Sequence, residues 1–192
     1  METKRVLILG VLFILLVVLV VLFFRSGGEE RIRPSAEVVS PELESLSKKP
    51  GETRKIVLFF PSEEDSLLHK EEREMLADAS LVQEAKQTIE ELLNGSKNGY
   101  LSPFPPETKL RELFVTKEGV AYVDFSREIQ EKHLSGSSSE MATVFSIVNS
   151  LAYNFNSVKK VFILIDGGEK ETLGGHISLL RPFLPQYDLV AK

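Results

Sequence analysis

The apolar positions of this chain fall into one long unbroken block followed by several short periodic ones. Val6 to Phe24 is a run of 19 residues with no charged or strongly polar side chain. As a helix rising about 1.5 Å per residue it reaches roughly 28 Å, close to the ~30 Å hydrocarbon core of a bilayer. Lys4 and Arg5 precede the run and Arg25 follows it. Secretory signal peptides carry a shorter apolar region, about 7–15 residues, and a small-x-small cleavage site that Ser26-Gly27-Gly28 imitates poorly. The pattern predicts a cytoplasmic tail over 1–5 and an uncleaved, single-pass transmembrane anchor over 6–24. Its two leading cations place the rest of the chain outside the cytoplasm. Residues 25–55, with Gly27, Gly28, Pro34, Pro41, Pro50 and many charges, read as a flexible linker. One domain is left, over 56–192, large enough for a single core.

Within that domain Ile56 to Phe60 is apolar, β-branched and aromatic, and Pro61 stops it: a buried strand. The charged stretch Glu63 to Asp78 reads as a solvated face. Ser80 and Gln83 fit a capping box, and Leu81, Val82, Ala85, Ile89, Leu92 and Leu93 then share one helical face. Asn94-Gly95 suits a left-handed stop. Gly99 to Pro106, with three prolines, is a connector. Leu110 to Asp124 reads as a hairpin turning at Lys117-Glu118-Gly119, with Ala121, Val123 and Phe125 on one face and Val120, Tyr122 and Asp124 on the other. Ser126 can cap a short helix over Arg127 to Lys132, and Ser135 to Ser139 reads as a flexible loop. Ser137 and Glu140 fit a second capping box, opening a helix whose stripe is Met141, Val144, Phe145, Val148, Leu151, Ala152 and Phe155. Val161 to Ile165, five apolar residues without alternation, is a strand covered on both sides or at the sheet centre. The order β-α-β-β-α-β predicts an α+β domain: a small mixed or antiparallel sheet with both long helices on one face.

Charge and composition narrow the chemistry. Residues 29–192 hold 20 Lys+Arg and 27 Asp+Glu, a net of −7. That balance argues against nucleic acid or anionic lipid as the main partner, since both need a basic face. The absence of cysteine excludes disulfides, thiol catalysis, thiolate metal sites and cysteine-linked lipid. Asp124 and Ser126 end a hairpin strand, as ligand contacts or as a strand-end acid and a cap. The most suggestive cluster is Asp166-Gly167-Gly168 with Gly174-Gly175-His176. Glycines after a strand's carboxyl end allow close approach to a ligand or partner, although a glycine turn with a structural histidine fits the same residues. The G-x-G-x-x-G order is missing, no H-x-x-x-H or paired-histidine pattern supports a metal, and no G-x-S-x-G supports a serine hydrolase. The expectation is no catalytic set, no metal and no cofactor.

The pieces also form a series. Val57-Leu58-Phe59-Phe60, Leu68, Glu72-Arg73, Ile89 to Gly95, Val123 to Ser126, Ser150-Leu151, Val158 to Val161, Ile165-Asp166-Gly167, Leu173 to His176 and Pro182-Phe183 resemble, in order and spacing, the GerMN domain of bacterial sporulation and spore-germination proteins. The resemblance spans about Ile56 to Pro185. The chain departs from the family pattern at Gly95-Ser96, where Gly-Pro is common, at Ser150-Leu151-Ala152, where Thr-Leu-Thr is common, and near Asn156, where a proline is often found. All three read as loop or surface-helix changes. The resemblance implies a non-enzymatic module of the bacterial cell envelope, held in the cytoplasmic membrane with its domain outside. Such a module acts by contact with an envelope protein or by self-assembly, with sporulation or germination as its setting. The alternative is a protein that binds or hydrolyses peptidoglycan, and abundant carboxylates keep it open.

Overall fold

The computed structural model describes residues 52–78, 80–134 and 136–192. The expected tail, the span over 6–24 and the linker as far as residue 51 lie outside the described residues, while Thr53, Arg54 and Lys55, at the end of the expected linker, belong to the first strand. Among the described residues no helix is long and apolar enough to cross a membrane. The elements are β1 (Thr53–Pro61), β2 (Leu68–Leu76), α1 (Leu81–Leu93), β3 (Leu110–Val115), β4 (Val120–Phe125), α2 (Glu128–Glu131), α3 (Ser137–Asn154) and β5 (Lys160–Ile165), with a 3-10 turn at Tyr187–Leu189.

The α+β class holds, but the single expected sheet is two. β1 pairs with β2 alone, antiparallel, from Thr53↔Leu76 to Pro61↔Leu68. β3, β4 and β5 form the second sheet in that order, with β3/β4 antiparallel and β4/β5 parallel. The split follows from a strand hidden in the charged run Glu63 to Asp78. That run was expected to be a solvated face, and it carries β2. Glu71, Arg73 and Met75 alternate inward while Lys70, Glu72, Glu74 and Leu76 face water. The period of two is there, but two of the inward side chains are charges.

Those charges survive burial because they satisfy each other and a neighbouring helix end. Arg73 donates to Glu71 at 2.9 and 2.6 Å, and to the Glu91 carbonyl and carboxylate at 2.8 Å each. It also donates to the Gly95 carbonyl, and its guanidinium lies over the Phe60 ring. Glu71 in turn accepts from Ser96 Oγ at 2.6 Å and from the Lys97 and Asn98 N–H groups. Ser96 therefore holds the α1 terminus onto β2. Burial by itself raises the Glu71 carboxyl pKa, but the donors around it, led by Ser96 and Lys97, outweigh that and lower it.

The hairpin is as its alternation predicts: Ala121, Val123 and Phe125 are buried and Val120 and Tyr122 lie on the other face. Gly119 turns it at φ +81, where a Cβ would stand 2.7 Å from the Ser157 carbonyl. β5 is not at the sheet centre. It is the outer strand, buried on both faces, and its far edge is closed where Val161 and Phe183 exchange N–H···O bonds of 2.9 and 2.8 Å. One core lies among these parts, with Ile56, Leu58, Ile89, Leu92, Leu113, Val123, Ile147 and Leu151 nearly inaccessible.

Two of the expected caps are used differently. Ser80 does cap α1, accepting the Gln83 N–H. Ser126 instead accepts the Lys109 N–H at 3.0 Å, and α2 starts without a side-chain cap. Ser137 is the first residue of α3 and makes no cap, while Glu140 faces the core. Ser150, expected on a helix surface, is fully buried and accepts the Phe59 N–H at 3.1 Å. Asn154 brackets Val57 of the same strand, accepting its N–H at 2.9 Å and donating to its carbonyl at 2.7 Å. Side chains of α3 thus close the β1 edge that no strand pairs.

Ser150→Ala should strip the buried Phe59 N–H of its acceptor and cost about 1–3 kcal/mol, whereas Ser150→Thr, which keeps the hydroxyl, should cost much less. Urea unfolding followed by circular dichroism measures both. Equal losses would mean that the contact is not made.

Candidate functional site

The residues singled out in the sequence sort into two assemblies organised by different acids. Parallel pairing of β4 and β5 sets their carboxyl ends side by side, with Phe125 opposite Ile165. Asp124 and Asp166 meet there on Arg111, a residue the sequence reading passed over. Arg111 Nε donates to Asp124 at 3.0 Å and its terminal nitrogen pairs with Asp166. The other oxygen of Asp124 accepts the Gly167 N–H at 2.9 Å. Asp166 and Gly167 are both left-handed, at φ 54 and 79. Gly168 closes the turn by exchanging bonds with Ile165. Both oxygens of Asp124 are occupied, so this corner works as an ion-paired turn. Ser126 is held apart from it, on Lys109. Arg111 sits at the register shift between Leu110 and Glu112, which aims it along the sheet toward both acids. No local pattern announces such a reach.

Gly174, Gly175 and His176 belong to the second assembly, on Glu140 of α3. This carboxylate is 0% exposed. It accepts from the Ile177 N–H at 2.8 Å, the His176 N–H at 3.2 Å and His176 Nδ1 at 2.7 Å. A Cβ at Gly174 would stand 2.9 Å from its Oε1. Burial pushes the Glu140 carboxyl up, and the N–H groups of Ile177, Gly174 and His176 with the histidine ring push it down by more, so its pKa is lowered. Glu140 therefore pins the glycine loop to the core. A signal did exist: Glu140 lies four residues before Val144 on the apolar face of the helix, where an exposed cap does not belong.

His69 pairs with Asp65 and stacks on Tyr100, and His133 contacts Thr143. The three histidines thus serve separate structures. Among the described residues no group of three or more His, Cys, Asp or Glu is placed to hold a metal ion. A groove of about 460 Å³ lies between the β1–β2 turn, the proline connector and the start of α3, walled by Pro61, Leu101, Pro103, Phe104, His133 and Ala142.

The open face of the second sheet is the largest departure from a closed core. Phe114, Tyr122 and Phe162 stand in one cross-strand row, Phe114 opposite Tyr122 and Tyr122 opposite Phe162. Phe114 and Tyr122 stack at 4.8 Å and 8°, and Tyr122 meets Phe162 at 5.3 Å. Phe114 is 44% exposed. Where the chain returns along β5, Phe183 packs toward Phe145 of α3, so alternation turns Pro182 and Leu184 to the open side. Leu184 is 60% exposed and Leu180 52%. Tyr122 has a ring on each side, so the middle of the row offers no free aromatic face to a sugar or base and suits packing against another apolar surface.

Two buried acids contribute to the acid sensitivity. The folded pKa values of Glu71 and Glu140 lie below the ordinary 4.5. Each therefore adds stability that is complete above that value and is lost as pH falls through the folded one. Glu140→Gln should lower stability at neutral pH by about 1–3 kcal/mol and flatten the decline below pH ~4.5. Thermal unfolding across pH 3 to pH 7 checks this, and an unchanged pH profile would refute it.

The first GerMN domain of the sporulation protein GerM from Bacillus subtilis superposes with a TM-score of 0.53 at 23% identity, over 70% of this chain and 99% of that one. The tandem GerMN domains of the same protein give a TM-score of 0.54 at 23% identity, over 71% of this chain and 48% of that one. The chain thus spans about half the length of the tandem structure. At this identity the likeness shows a shared fold. Among curated proteins none matches the sequence. The profile of the Germane family, described as sporulation and spore germination, matches residues 57–171, more than half of the 192, and the chain belongs to that family.

Proposed function

We propose that this chain is a membrane-anchored protein-interaction module of the bacterial cell envelope, working outside the cytoplasmic membrane in sporulation or germination. The open face of the β3-β4-β5 sheet is its contact surface. The observation that carries this reading is the stacked row Phe114, Tyr122 and Phe162, whose outer ring Phe114 is 44% exposed. Exposed aromatic surface on a sheet face supports an association site. The apolar run over 6–24 supports the anchor, and family membership supports the setting. A wall hydrolase would need a carboxylate pair free to work. Asp124 and Asp166 share Arg111, and Glu140 is filled by N–H donors, which favours contact over catalysis.

In-cell formaldehyde crosslinking of the full-length protein tests this. The wild type should give discrete adducts, and Phe114→Asp with Leu184→Asp should reduce them about tenfold or more, the scale of losing a well-packed contact. Protease resistance of the variant shows that it still folds. Adducts indifferent to these changes would remove the face, and release of muropeptides by the purified protein would favour the hydrolase.

A further inference from the structure

We infer that His133 is a proton-operated latch: as an imidazolium it ties the proline connector to α3 and fixes the wall of the groove, and on losing its proton it lets that wall go. The ring makes two contacts. Nδ1 lies 2.7 Å from the Leu134 carbonyl and Nε2 lies 2.8 Å from Thr143 Oγ1. Thr143 is buried, and its hydroxyl stands 2.5 Å from the Pro103 carbonyl and 3.0 Å from the Ser139 carbonyl. A carbonyl oxygen only accepts, so the Leu134 contact needs a proton on Nδ1 and the Pro103 contact needs the single proton of Thr143. Thr143 then has no proton left for Nε2 and must accept one from it. Both ring nitrogens therefore donate, which only the charged ring can do. Either neutral form breaks the chain. With its proton on Nδ1, the ring takes the Thr143 proton at Nε2, and the Pro103 carbonyl loses its donor. With its proton on Nε2, the ring sets the lone pair of Nδ1 against that of the Leu134 carbonyl. Turning the hydroxyl to Ser139 would strand Pro103 as well.

The linked atoms come from three parts of the chain. His133 follows α2, Pro103 lies in the connector between α1 and β3, and Thr143 is on α3. All three line the groove, together with Phe104 and Leu134. Pro103, Pro105 and Pro106 have no N–H to offer, so the connector depends on donors from elsewhere. The charged groups around the ring come from each element packed there. Glu131 and Lys132 precede it at the end of α2, and Lys132 is taken by Glu107 of the connector. Glu63 of the β1–β2 turn stands on the groove wall. Glu140 of α3 is turned to the glycine loop. Among the described residues no carboxylate pairs with the ring, so its proton answers to Leu134 and Thr143. The other histidine beside the connector is His69, which pairs with Asp65 and stacks on Tyr100 at 4.9 Å. The latch is independent of the β3-β4-β5 face.

Hydrogen exchange read by mass spectrometry on the full-length protein in detergent micelles tests the latch at about pH 5.5 and about pH 8, which bracket the titration of imidazoles. The rate in a peptide over 99–109, which holds the bonded amides of Leu101 and Phe104, is divided by the intrinsic rate at each pH. Its protection should be about tenfold lower at the higher pH, the scale of one lost buried hydrogen bond, while peptides of β4 and β5 keep theirs. His133→Gln, which carries no titrating ring, should show no difference between the two pH values. Thr143→Val, which keeps the volume but not the relay, should show none either. His69→Gln should leave the tenfold change in place. Protection of β4 and β5 shows that each variant folds, and half-buried His133 decides the matter if Thr143→Val does not. Equal protection of the wild-type connector at both pH values would overturn the latch. So would a change that persists in His133→Gln or disappears in His69→Gln, since another group would then be its source.

Discussion

Helix α3 carries polar side chains on its packed side, and five of them close backbone that no strand or helix satisfies. Ser150 and Asn154 take the free edge of β1. Asn149 accepts the Gln186 N–H and donates to its carbonyl. Thr143 reaches the Pro103 carbonyl in the proline connector, and Glu140 takes the glycine loop. Unpaired backbone groups out of water cost as much as lost hydrogen bonds, so irregular segments can lie against the core only where such partners wait. The helix is therefore the frame on which one sheet edge and three loops are fixed. A purely apolar α3 would pack equally well on β1 and leave all of them unanchored.

Charge is used inside this domain in the same way. Glu71 and Arg73 are not a simple ion pair, because each has further partners at the end of α1. Among the described residues Glu140 pairs with no arginine or lysine and is held by N–H groups and a histidine ring. A buried carboxylate with several donors is stable where a lone one is not. The family departure at Ser96 has a use here, since its hydroxyl donates to Glu71 where a proline would offer nothing. Ser150, in place of threonine, keeps the one atom the β1 edge requires.

With the core faces and the glycine loops absorbed in holding the fold, the surface left to act is the outer side of β3, β4 and β5. Its aromatic rings stack on one another, which stabilises the face and limits what it can bind. Flat ligands that live by stacking find the middle ring, Tyr122, already flanked, whereas another apolar protein surface finds a firm, ordered contact.

The positions of β1, α1, the β3–β4 hairpin, α3 and β5 were legible in the chain, because apolar period and turn residues are local properties, although β1 starts at Thr53, three residues before its apolar run. The glycine at 119, the cap at Ser80 and the two faces of β4 were legible for the same reason. β2 was not, since inward Glu71 and Arg73 imitate a solvated run until their partners 18 or more residues away are in place. Nor was the division into two sheets, which depends on α3 side chains closing β1 before a third strand can. For the candidate site, Asp124, Asp166 and Gly167 could be named in advance but not joined through Arg111. The group Gly174 to His176 could be named but not assigned to Glu140. Sequence alone determined which segments are strands, helices and turns, and that one run is apolar enough to span a bilayer. Only the tertiary structure decided which polar atoms meet, because a hydrogen bond is a matter of distance and direction between residues far apart along the chain.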